Sequence, residues 1–251
     1  MQIQIIPAFK DNYIYVLSKD KKAWVFDPGE SEPVARHLSQ IDAEEVAIIL
    51  THHHWDHVSG VEKLRDQFEA SVWGPKDSRI PFVEHHLSSG STSILGKTFQ
   101  VISTPGHTIP ALSYYVEIDT QSYLFSGDTL FAGGCGRLME GSAKQMWGSL
   151  SQLKELPPST LICAGHEYTQ SNYTFVSQIP WRKDEVKDTL ARVKAKRDVG
   201  IATYPLTLKN ELKSNPFLNA QDPALKSALG LSLEDSNEAC FAKLRAQKDA
   251  F

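Results

Sequence analysis

Along the first hundred residues, apolar positions come in short blocks, and each block stops at a proline, glycine, aspartate or asparagine. "IQIIPA", "YIYVLS" and "AWVFDPG" are β-branched or aromatic runs of strand length, so the N-terminal part reads as a meander. "SEPVARHLSQ" puts a serine ahead of Glu32 and Pro33, the mark of a helix start. "EVAIIL" then gives the unbroken apolar run of a strand covered on both faces. Residues 51–57, "THHHWDH", follow at once, and "VSGVEKLRDQF" after them spaces Val58, Val61, Leu64 and Phe68 at helical intervals. The heptapeptide therefore sits in a strand-to-helix turn.

The same layout recurs downstream. "FQVISTPGH" ends an apolar run at His107, "YLFSGD" at Asp128 and "LICAGH" at His166, so four runs deliver a histidine or aspartate just past their C-terminal ends. Ligands gather there in layered α/β structures. From Tyr168 the pattern changes. "TQSNYTFVSQI", "WRKDEVKDTLARVKAKRDVG" and "SNEACFAKLRAQKDAF" are periodic and mostly helical, with a loop at "KSNPFLNAQDP". A boundary near residues 166–170 divides the chain into domains 1–167 and 168–251, without internal repeats or low-complexity segments.

Composition narrows the classes. A chain of 251 residues, 41% hydrophobic and 22% charged, is expected to be a soluble globular protein. Its formal charge of −4 supplies no field for nucleic acid or anionic lipid, so an anionic ligand must meet a local basic cluster. The N-terminal segment lacks a cationic n-region, and no apolar run reaches membrane-span length; neither a signal peptide nor a membrane span is expected. Cys135, Cys163 and Cys240 are odd in number and widely spaced, which fits free thiols in the cytoplasm.

The heptapeptide carries the chemistry. On an extended or turning backbone His52 and His54 point to one side and His53 to the other, while Asp56 and His57 lie just beyond and can face a second position. Neutral imidazole with carboxylate suits zinc, iron or manganese, and two such ions roughly 3.5–4 Å apart are the usual arrangement for hydrolysing esters and phosphates. Two ions need more ligands. His107, Asp128 and His166, each at a strand end next to glycine, are the candidates, and Asp128 could bridge because a carboxylate offers one oxygen to each ion. His37, His53, His85 and His86 are read as non-ligands.

These residues resemble the metallo-β-lactamase superfamily in motif, order and spacing: His52-X-His54-X-Asp56-His57, "PGHT" with His107, "SGDTLF" with Asp128 and "GHEYT" with His166. Within it, "IPAFKDNYIYVL", "GGCGRLMEG", "GHEYTQSN" and "LRAQKDAF" are similar to the hydroxyacylglutathione hydrolases of glyoxalase II type, over nearly the whole chain. The resemblance implies an αββα sandwich followed by a small helical C-terminal domain, the first catalytic and the second substrate-binding. It implies one metal on His52, His54 and His107, a second on Asp56, His57 and His166, and Asp128 as bridge. Asp56 and Asp128 are then the catalytic carboxylates, and Asp27 of "DPG" orients a ligand histidine. Arg137, Tyr168, Asn172, Arg245 and Lys248 match the family's substrate-binding positions. Pro110 and Ala111 stand where the family has a Gly-His pair, Met139 where an aromatic residue is common, and Asn219 where arginine is frequent.

The implied reaction is hydrolysis of S-(2-hydroxyacyl)glutathione thioesters, S-D-lactoylglutathione above all, by a hydroxide bridging two divalent ions, zinc first with iron or manganese as alternatives. It is a step of methylglyoxal detoxification. The partner would be a small-molecule glutathione thioester, and the protein a monomer. Rival readings are a mononuclear-iron glutathione persulfide dioxygenase, a phosphodiesterase or ribonuclease of the same fold, and a silent binding protein.

Overall fold

The apolar blocks of the N-terminal meander become three antiparallel strands, β1 (Gln2–Ala8), β2 (Asn12–Lys19) and β3 (Lys22–Phe26). In the computed structural model, which describes residues 1–251, helix α1 (Ser31–Gln40) then leads to β4 (Glu45–Ile49), parallel to β3. Past the histidine-rich turn come α2 (Trp55–Val58), α3 (Val61–Phe68), β5 (Ser71–Pro75) and β6 (His85–Leu87), which complete a six-stranded sheet in the order β1 to β6. Four further strands, β7 (Gly90–Ile94), β8 (Lys97–Ser103), β9 (Leu112–Ile118) and β10 (Gln121–Gly127), form an antiparallel meander.

By compactness the chain divides into two units, residues 1–103 with 110–127, and residues 104–109 with 128–251. The expected division at 167/168 follows the change of pattern near Tyr168 and the family resemblance, and it stands as a proposal.

In the first unit the period-two alternation of strands buries both faces of the first sheet. Ile14, Val16, Val25 and Ile48 point outward and meet Val34 and Leu38 of α1 and Val61 and Leu64 of α3. The residues between them point inward onto the second meander: Phe26 stacks on Phe125 at 3.7 Å, the Trp24 indole N–H donates to the Ile94 carbonyl at 2.8 Å, and the Tyr114 hydroxyl donates to the Leu50 carbonyl at 2.6 Å. Burial on both sides is why β2 to β4 read as continuous apolar runs.

The second unit holds the hairpin β11 (Leu130–Phe131) and β12 (Gly134–Cys135), helix α4 (Ala143–Leu153) and strand β13 (Leu161–Ala164). After these come α5 (Thr169–Val176), α6 (Lys183–Asp198), β14 (Leu206–Thr207), α7 (Leu208–Ser214), a 3₁₀ turn (Pro216–Leu218), α8 (Pro223–Ala228) and α9 (Asn237–Ala250). Helix α4 begins at a capping box in which Ser142 accepts from the Gln145 N–H and the Gln145 side chain reaches back to Ser142. Buried Trp181, Tyr173, Phe217 and Phe241 form the apolar interior of the helical part. No helix is long and apolar enough to cross a membrane.

Candidate metal centre

Four of the seven expected ligands, His52, His54, Asp56 and His57, lie in the first unit, in the turn between β4 and the end of α2. His52 Nε2 and His54 Nδ1 stand 3.0 Å apart. Nitrogens bound about 2.0–2.1 Å from one ion are separated by roughly 3.0–3.4 Å, so these two rings converge as a pair of ligands would. His53 turns the other way and faces Asp77 at 3.2 Å, while His85 stacks on Trp73 at 3.9 Å.

Asp27 organises this turn. Its Oδ1 accepts from the Thr51 backbone N–H at 2.7 Å, and its Oδ2 accepts from the Thr51 hydroxyl at 2.6 Å and from His57 Nδ1 at 3.0 Å. With Nδ1–H donated to a carboxylate, His57 presents Nε2 as its lone-pair nitrogen. Asp27, His52 and His57 carry ligand-capable atoms within 4.8 Å of one another. The Asp27 oxygens are engaged in these hydrogen bonds, so its chemistry is that of an orienting group. The Asp56 carboxylate accepts from the Asn12 amide at 2.9 Å, a partner that sequence reasoning missed although Asn12 lies within the "KDNY" stretch. Gly29 of the "DPG" turn permits the close approach: a Cβ there would sit 1.8 Å from the Asp56 carbonyl oxygen.

Asp27→Ala is expected to weaken zinc binding 10- to 100-fold, the usual effect of losing a ligand's hydrogen-bond partner. Competition with a chromophoric chelator reads this directly, and an unchanged affinity would show that His57 needs no orienting group.

His107, Asp128 and His166 belong to the second unit. His107 Nε2 lies 3.5 Å and His166 Nε2 3.3 Å from Asp128 Oδ2. His107 donates Nδ1–H to the Arg137 carbonyl at 2.8 Å, which again leaves Nε2 as the ligand nitrogen. The His166 ring stacks on Tyr168 at 4.7 Å with 4° between planes. All three expected ligands are buried. The Asp128 carboxylate thus faces two imidazoles, His107 with its tautomer set by the Arg137 carbonyl, and these are side chains of the kind that bind divalent ions.

Beside them a cavity of about 520 Å³ is lined by His107, Asp128, Phe131, Cys135 and all five expected substrate-binding residues, Arg137, Tyr168, Asn172, Arg245 and Lys248. Three of these are cations in a chain of net charge −4, the local basic cluster that an anionic ligand requires. Arg245 is 6% exposed; its Nη1 donates to the Cys135 carbonyl at 2.8 Å, its Nη2 meets Asp249 at 2.9 Å, and its guanidinium lies over the Phe217 ring. Its Nε–H has no protein partner. Lys248 lies over the rings of Phe175 and Phe251, and burial together with the neighbouring Arg245 holds its ammonium below the usual lysine range. The Asn172 amide is engaged with the Ala132 carbonyl at 3.0 Å.

The family model described as the metallo-beta-lactamase superfamily matches residues 9–166, and that described as the hydroxyacylglutathione hydrolase C-terminus matches residues 167–251. Among solved structures, the BLEG-1 B3 metallo-beta-lactamase is 27% identical at a TM-score of 0.65, covering 86% of this chain and 99% of its own. ETHE1 from Myxococcus xanthus is 22% identical at a TM-score of 0.69, covering 97% and 90%. TTHA1623, solved in a di-iron-bound form, is 24% identical at a TM-score of 0.59, covering 86% and 100%.

Proposed function

The chain belongs to the metallo-beta-lactamase superfamily and carries the C-terminal region of its hydroxyacylglutathione hydrolases, families of hydrolytic enzymes, and from that footing we propose that it hydrolyses S-D-lactoylglutathione to D-lactate and glutathione. The observation that carries the reading is the meeting, in one cavity of the second unit, of ligand-type residues His107 and Asp128 with the cations Arg137, Arg245 and Lys248. A thioester of glutathione has two carboxylates for the cations and one thioester carbonyl for the metal side. The division into a catalytic part, residues 1–167, and a substrate-binding part, residues 168–251, belongs to the same proposal.

In this reading His52, His54 and His107 hold one divalent ion, Asp56, His57 and His166 a second, and Asp128 serves both. Two ions so held would polarise the thioester carbonyl and lower the pKa of a water from about 15.7 to about 7. The di-iron form of TTHA1623 supports two ions on this fold, and zinc is the metal proposed. The chain's own residues do the rest. Asp27 and the Arg137 carbonyl keep Nδ1–H on His57 and His107, so that Nε2 faces inward. Arg245 and Lys248 neutralise the glutathione carboxylates and fix the reach of the thioester sulfur. The leaving thiolate needs no general acid, since an ordinary thiol ionises near about 8.5. Three free, buried cysteines support a reducing compartment, and the protein is proposed to work as a monomer in the cytoplasm.

The test is hydrolysis of S-D-lactoylglutathione, followed by loss of thioester absorbance, with metal quantified on the same preparation. Two equivalents of metal per chain and turnover abolished by chelation are expected. A fully loaded protein that leaves the thioester intact, or that consumes oxygen with glutathione persulfide instead, would overturn the proposal.

A further inference from the structure

The hairpin β11–β12 has two residue pairs of its own, Leu130 with Cys135 and Phe131 with Gly134. A ribbon that short does not hold its shape unaided. Side chains from distant helices and loops supply what the ladder lacks. The Tyr204 hydroxyl accepts from the Ala132 N–H at 2.8 Å, Glu211 Oε2 accepts from the Gly133 N–H at 2.6 Å, and the Asn215 amide donates to the Phe131 and Gly134 carbonyls at 3.0 and 3.1 Å. Glu211 is the hub of this set. Its Oε1 accepts from the Tyr173 hydroxyl at 2.8 Å, and its Oε2 also accepts from the Asn215 amide at 3.0 Å, so the residue that grips Gly133 also aims Asn215. It is 2% exposed, and burial pushes its carboxyl up to about 7 against the pull of these donors. Gly133 has φ of 64°, and a Cβ there would press to 3.0 Å from the Tyr173 ring, so the hairpin tip is matched to this wall.

The two ends of the hairpin matter as much as its tip. Asp128 precedes it and Arg137 follows it, its base is closed by the Gly136 N–H donating to the Thr129 carbonyl at 3.1 Å, and the Arg137 carbonyl fixes the His107 ring. We infer that Glu211 is a positioning residue for the centre: by fixing Gly133 and Asn215 it sets the course of residues 128–137, and with it the Asp128 carboxylate, the His107 ring and the cavity wall at Phe131. The inference rests on the metal and substrate reading above.

Glu211→Ala and the isosteric Glu211→Gln, compared with Tyr173→Phe, test it. Zinc affinity is measured by chelator competition, KM and kcat with S-D-lactoylglutathione, and fold by circular dichroism. Folded Glu211 variants are expected to bind zinc roughly tenfold more weakly and to show KM raised by a similar factor, with the Gln form milder; Tyr173→Phe, which leaves the Gly133 contact in place, stays within about twofold. Folded Glu211 variants with zinc affinity and KM within twofold of the parent would overturn the inference, as would loss of fold in both, which would make Glu211 a purely structural residue. If the parent does not turn over lactoylglutathione, the functional proposal fails while the zinc arm still decides on Glu211.

Discussion

Asp128→Ala is expected to lose bound metal and to lower kcat by more than about a thousandfold, because it removes the one carboxylate that faces both His107 and His166. The Nε2 atoms of these rings lie 3.5 and 3.3 Å from a single oxygen of a side chain only 9% exposed. Without that oxygen each of the two buried imidazoles loses the anion it faces, and a cation held at either ring would lose a charged ligand. If the reaction depends on bound metal, rate and metal content should fall together. Asp128→Asn keeps the shape and one oxygen but not the charge, so it should retain part of the metal and little of the rate. The measurement is metal stoichiometry beside kcat and KM on one preparation. An Asp128→Ala protein that hydrolyses the thioester at the parental rate with no metal present would end the reading of this centre as catalytic.

Arg245→Ala should act on the other half of the problem, raising KM for the glutathione thioester by roughly 30- to 150-fold while kcat changes by less than about threefold. That range is the factor equivalent to about 2–3 kcal/mol, the usual cost of losing a hydrogen bond to a charged group. Arg245 is almost wholly buried yet keeps an Nε–H without a protein partner, next to a cavity it lines. A guanidinium in that state is ready to receive an anionic acceptor, and the split between KM and kcat separates binding of a remote carboxylate from chemistry at the carbonyl. Arg245→Lys should recover only part of the affinity, since a point charge cannot reproduce the fork that holds Asp249 and the Cys135 carbonyl together. A parental KM in Arg245→Ala would show that the carboxylates are bound elsewhere.

How much of this was legible beforehand depends on the range of the interactions. Strands β1 to β4 and helices α1, α3, α6 and α9 follow from local apolar periodicity, and the ligand candidates follow from their place just beyond strand ends. The orienting role of Asp27 was expected from the "DPG" motif, and the geometry supplies its partners, Thr51 and His57. Helix α4 begins at a Ser142–Gln145 capping box, a local signal that the sequence carries. Other features had no local signature. The hairpin β11–β12 is two residues long on each arm, and Glu211 and Arg245 hold it across 78 and 110 residues of sequence. The assignment of residues 104–109 to the second unit depends on contacts with the 136–141 segment, where Gly141 N–H donates to the Gly106 carbonyl, and periodicity carries no trace of it.

Cys135, set in the wall of the cavity, is 5% exposed, and burial lifts its thiol to about 11 even with the Arg245 guanidinium beside it. At neutral pH the sulfur therefore stays in the thiol form and not as the anion, the species that attacks disulfides. If the proposed thioester is the substrate, the wall it would rest against carries a sulfur held as an unreactive thiol.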